Sequence, residues 1–191
     1  PMSIATLSRA ARQSREVSQA RLAALSGVPA STISFIENGQ RVPRVDTLDA
    51  LLRRTGSRLT ISPTTRTTAL EAAAEIRRHV TAGDDRQAFR TWLAFNDDLG
   101  AETATNRVVL TAFPPAPTGN ALYDAALAAL AEFRLRDVGA PVPDWVSASP
   151  ALTSPTVFTD SRYVSAAELG TVPDEFARRG VLIDLESLGS A

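Results

Sequence analysis

Ser18–Gly39, SQARLAALSGVPASTISFIENG, reads as two short helices joined by a tight turn. The Ser18 hydroxyl can accept a bond from a free first-turn N–H and so start the first helix. Leu22, Ala23 and Leu25 mark its buried stripe. Ser26-Gly27 ends it, because glycine tolerates the positive φ that a sharp exit needs. Val28 plugs the corner, and Pro29 or its neighbour restarts the chain, since proline suits a first helical turn. Ile33 and Ile36 then face inward, while Ala30, Ser31, Thr32, Ser34 and Phe35 stay outside. Asn38-Gly39 closes the second helix.

Outward from this stretch, Ile4–Ser14 reads as a preceding helix with Ile4, Leu7 and Ala11 on its buried face. After it come an extended loop, Gln40–Arg44, and a fourth helix, Thr47–Thr55, capped by Asp46 and stopped at Gly56. Leu48, Leu51 and Leu52 are its apolar face. Arg58-Leu59-Thr60-Ile61 alternates polar and apolar and reads as a short strand. That makes a five-element bundle over residues 1–62, with a boundary at Ser62-Pro63-Thr64-Thr65 and a second domain over 63–191.

Arg12, Gln19, Leu22, Ala23, Gly27, Val28, Ile33, Ile36, Glu37, Gly39, Pro43, Thr47 and Leu48 fall in one register. They resemble the helix-turn-helix of Cro/repressor-type regulators, the xenobiotic-response family, over about residues 4–61. The resemblance implies a recognition helix that enters the DNA major groove. It places Gln19 and Asn38 at phosphates, with Arg41 and Arg44 on the following loop and Arg15 nearby. Ala30, Ser31, Thr32, Ser34 and Phe35 take the positions that face base edges. None of the five can make the bidentate base contacts of Arg, Asn or Gln, so specificity rests on hydroxyls, thymine methyls and DNA shape. The other place for Phe35 is the core beneath the loop. The resemblance also implies an Arg12–Glu37 ion pair tying the first helix to the third; the alternative is two solvated surface charges. Binding as a homodimer follows, because one weak reader does not suffice.

The second part reads as helical through its first half. Thr67–Ala82, Asp84 or Asp85 to Leu99, Ala101–Phe113 and Gly119–Asp137 carry apolar stripes, with Thr118 as the cap of the last. Phe113–Pro117 cannot be helix interior, because prolines remove donors and clash. From Gly139 periodicity fades, apart from a short helix in Pro173–Gly180 and an extended Val181–Leu185. The fold class is therefore mainly α with a little strand. Pro114–Gly119, Tyr123-Asp124-Ala125, Pro143-Asp144-Trp145 and Pro173…Phe176…Arg179-Gly180-Val181 resemble the helical C-terminal regions of actinobacterial-type regulators. Several of those look like antitoxins, which implies a cognate toxin as partner. The long helices supply part of the dimer interface or build only their own core.

Charge divides with the domains. Residues 1–61 hold nine arginines and four acids, and residues 62–191 eleven arginines and seventeen acids. A basic front suits phosphate and an acidic rear another partner. No apolar run approaches the roughly 18 residues of a membrane span, and no leader is evident. Pro1 before Met2 reads as a cloning remnant. There is no cysteine, hence no disulfide or thiolate metal site. No cofactor, metal site, catalytic residue or membrane contact is expected, and the location expected is the cytoplasm. The single histidine, His79, permits no Ser-His-Asp triad, and Asp84-Asp85 and Asp97-Asp98 sit at helix ends where capping and solvation explain them. The sequence thus points to an autoregulating DNA-binding repressor that acts as an antitoxin. The alternative is a stand-alone regulator whose second domain senses a small ligand.

Overall fold

The computed structural model describes residues 4–159 and 169–189. Pro1 and Met2 therefore lie outside the described residues. The chain divides into two compact units, Pro1–Pro63 and Thr64–Ala191.

The first unit holds four helices, α1 (Ile4–Gln13), α2 (Gln19–Ser26), α3 (Ala30–Glu37) and α4 (Val45–Arg54). Leu22, Ile33, Ile36 and Leu51 form its core, closed at the edges by Val17, Ala23 and Val28. Ser18 caps α2 by accepting from the Arg21 N–H. Gly27 ends the helix at φ 74°, its N–H donating to the Ala23 carbonyl. Three expectations change. Arg58–Ile61 forms no strand, so the bundle has four helices and an extended tail. No neighbouring strand pairs with that tail among the described residues, and Leu59 and Ile61 stand 39% and 97% exposed. Ile4 is exposed rather than buried, because it is the first residue of α1; Ser8, Ala10 and Ala11 take the buried face. Finally, α4 starts at Val45, which puts Asp46 in its first turn instead of at its cap.

The second unit runs α5 (Ala69–Ala82), α6 (Asp85–Gly100), α7 (Ala104–Thr111), α8 (Ala121–Arg136) and α9 (Asp144–Ala148). Then follow β1 (Thr156–Val157), α10 (Asp174–Ala177), β2 (Val181–Leu182) and a 3-10 turn, Leu185–Leu188. The two strands pair in parallel, Thr156 opposite Val181 and Val157 opposite Leu182. Ala125–Glu132 of α8 is buried without a break. Its middle, Ala125–Ala131, is apolar on all sides and so belongs inside a core, and its alanines let neighbours approach closely. Its surface is thus spent within the unit. Trp92 and Phe158 meet edge to face at 4.9 Å, with Tyr123 and Phe176 around them.

Caps again moved some boundaries. The N-cap of α8 is Asn120, whose side chain accepts from the Leu122 N–H, while the buried Thr118 hydroxyl gives its one proton to Asp124 at 2.7 Å. Asp84, not Asp85, caps α6. Capped by Thr103, α7 is shorter at both ends than expected, and Val109 lies exposed on it. Arg178 and Arg179 differ in burial, with the Arg178 side chain 44% exposed and that of Arg179 6%. Arg179 donates to Glu132 at 2.8 Å.

Candidate nucleic-acid interface

Ile33, Ile36 and Glu37 of α3 are buried against the other helices. The opposite side of α3 carries small and hydroxyl residues plus one aromatic ring. Ala30 and Ser31 are exposed, Thr32 and Ser34 half-buried, and Phe35 is 50% exposed. Phe35 is therefore not folded beneath the loop. Its carbonyl accepts the Gln40 and Arg41 N–H groups, so the loop after α3 turns back over the helix end. Gly39, at φ 72°, allows that reversal.

The only charge on α3 is neutralised internally. Glu37 is 2% exposed, and Arg12 grips it with two parallel bonds, Nε to Oε1 and Nη2 to Oε2, both 2.8 Å. Gln19 Nε2 donates to Oε2 at 2.9 Å. Burial alone pushes the Glu37 carboxyl up, but the bonds from Arg12 and Gln19 outweigh it and hold the group below the usual carboxylate range. Bonding to Glu37 in turn holds the Arg12 guanidinium above its ordinary value. The third hydrogen bond of Arg12 goes to the Val17 carbonyl at 2.8 Å. Arg12 therefore joins α1, the lead into α2 and the end of α3. Gln19 has spent one amide hydrogen on Glu37 and keeps one to offer.

Beside this pair lies a residue that sequence reading overlooked. Arg9 Nη2 donates to the Glu37 carbonyl at 2.6 Å and to Asn38 Oδ1 at 2.8 Å. A guanidinium at a helix C-terminus satisfies free carbonyls and favours the dipole. The signal was available: Arg9 and Arg12 are three apart on one helix and so share a face. Arg41 and Arg44 are exposed on the loop. Arg44 stands 3.7 Å from Asp46 with both side chains in solvent, a contact worth little. Arg15 is exposed, with its guanidinium beside Gly56.

The result is a rigid helix whose outward face carries no net charge, flanked by exposed arginines. Such a face can approach base edges while the arginines, planar sets of donors, take phosphate. Among the described residues no helix is long and apolar enough to cross a membrane. No curated protein and no solved structure matches the chain. Residues 9–61 match the helix-turn-helix family model. The matched segment belongs to a DNA-binding regulatory family and not to an enzyme family, and it supports DNA-binding transcription regulation.

Proposed function

We propose that the protein is a sequence-specific repressor of its own operon and the antitoxin of a toxin–antitoxin pair, acting in the cytoplasm. The observation that carries the DNA half is the charge-free outward face of α3 between exposed arginines, on a unit with an excess of basic residues. The acid excess of residues 62–191 supports a partner other than DNA. In this reading the second unit covers the active surface of the toxin, and toxin occupancy tunes operator binding. Ala30, Ser31, Thr32, Ser34 and Phe35 read the groove, while Gln19, Asn38, Arg41 and Arg44 hold the backbone. A homodimer spans two half-sites about 34 Å apart. Leu59 and Ile61, exposed on an extended tail that no strand pairs with among the described residues, support self-association.

The loop arginines give a direct test. Arg41→Ala with Arg44→Ala removes two phosphate contacts. It weakens binding to all duplexes alike and flattens the log–log salt slope by about two. Unchanged slope and affinity take the loop out of the interface. For the antitoxin half, the product of the neighbouring gene is expressed alone and with this chain. Growth arrest relieved by coexpression, and operator affinity shifted by the added product, are the expected results. Arrest that persists contradicts the antitoxin role.

A cavity of about 370 Å³ in the second unit favours a second reading, a stand-alone regulator that senses a small ligand. Polar Asp85, Arg86 and Asn120 line it together with Leu122, Tyr123 and Phe158. The Tyr123 hydroxyl donates to the Asp85 carbonyl at 3.0 Å. Burial, helped by the Asp85 charge, pushes its pKa up to about 12, so it stays a neutral donor at ordinary pH. Specific DNA binding that is indifferent to the neighbouring product selects this second reading.

A further inference from the structure

Hydrogen-bond chemistry fixes the direction of a short chain of side chains at the end of α3. Arg9 can only donate, so the Asn38 atom facing it at 2.8 Å is the carbonyl oxygen. The Asn38 amide nitrogen then faces the Ser34 hydroxyl oxygen, at 3.3 Å, and donates to it. Ser34 has thus accepted a bond without spending its proton. Other helical hydroxyls in this chain spend theirs on the carbonyl four residues back. Ser26 donates to Leu22, Thr81 to Arg77, Thr91 to Gln87 and Thr111 to Arg107, at 2.7–2.9 Å. Ser34 makes no such bond among the described residues, and it lies half-buried on the side of α3 that carries the exposed residues.

We propose that Arg9 is a positioning residue for DNA recognition: acting through Asn38, it makes Ser34 a hydrogen-bond donor to an acceptor atom of the duplex. This rests on the DNA-binding reading of α3. In the major groove the acceptors are guanine N7 and O6, adenine N7 and thymine O4, whereas the cytosine amino group donates and is mismatched. A phosphate oxygen offers the same acceptor chemistry. Neither Arg9 nor Asn38 has to touch a base to affect the one that Ser34 meets.

The test uses the full chain, titrated by fluorescence anisotropy on its preferred duplex and on duplexes varied one pair at a time. Ser34→Ala loses about five-fold in affinity, the worth of one ordinary hydrogen bond. Asn38→Asp keeps an acceptor for Arg9 but offers one to Ser34 as well, so the hydroxyl proton turns inward. Its penalty combines charge repulsion and the lost phosphate contact of Asn38 itself with the lost Ser34 contact. In the Ser34→Ala background that penalty shrinks by about the same five-fold, a coupling that a charge effect alone does not produce. Arg9→Ala likewise blunts the effect of Ser34→Ala. Thermal melts of the variants check that the fold is retained. A Ser34→Ala loss confined to duplexes with one base pair places the acceptor on a base, and an equal loss on every duplex places it on phosphate. Additive Asn38→Asp and Ser34→Ala effects, or a neutral Ser34→Ala, overturn the relay and leave the DNA reading intact. If the wild-type chain binds no duplex, the reading of α3 falls and the relay with it.

Discussion

Arg12→Ala destabilises the first unit by about 3–5 kcal/mol, because it leaves the Glu37 carboxylate buried without its charge partner. That is a large share of the stability of a domain of this size. The loss is separable from the rest of the chain. Both tryptophans, Trp92 and Trp145, lie in the second unit, so their fluorescence follows that unit alone, while helical circular dichroism follows both. In urea the variant shows an early circular-dichroism transition and an unchanged tryptophan transition. The same pair predicts a pH dependence. The folded pKa of Glu37 lies below its unfolded value, so the stabilisation is present above the unfolded pKa and disappears as pH falls through the folded one. Acid therefore destabilises the wild-type first unit through this group. Arg12→Ala loses that acid sensitivity, and its transition moves less between neutral and acidic pH. An unchanged circular-dichroism transition shows Glu37 solvated, not buried.

Glu132→Ala does the converse. Glu132 on α8 is 5% exposed and meets three arginines: Arg136 and Arg179, both at 2.8 Å, and Arg178. Burial raises its pKa, but the bonds from Arg179 and Arg178 prevail and hold it low. Arg179 also donates to the Glu175 and Val146 carbonyls, tying α8, α9 and α10 together. Removing Glu132 leaves the Arg179 guanidinium buried among carbonyls, at a cost of about 3–5 kcal/mol. The tryptophan transition then moves to lower urea while the first unit keeps its own. Arg136→Ala at the same carboxylate costs little, since Arg136 is exposed and Arg179 stays in place. Equal effects of the two substitutions contradict the buried pairing.

The helical part of the first unit was legible because its signals are local. Ser18, Gly27 and the Leu22–Ile33–Ile36 spacing each act within a turn or two, and each does in the structure what its chemistry dictates. Alternation at Arg58–Ile61 misled, because alternation describes a strand only where another strand is present to bond it. The β1–β2 pair shows the same dependence from the other side. Two residues on each strand meet across the whole of α10 and the segment before it, and no local pattern announces that. Arg178 and Arg179 look alike in sequence; only the placement of α10 beside Glu132 buries one and not the other. At the α3 face, which residues point outward was legible from helical period. The direction of the Arg9–Asn38–Ser34 bonds was not, because it depends on a residue from another helix.

The measurement that bears most directly on the function is a fluorescence-anisotropy titration of the full chain. It is run on DNA from upstream of its own gene and on scrambled DNA of equal length, over a series of salt concentrations. The result expected is tighter binding to the upstream DNA, weakening linearly in log–log form as salt rises, and shifted by the product of the neighbouring gene. Equal affinity for upstream and scrambled DNA at every salt concentration would contradict sequence-specific autoregulation.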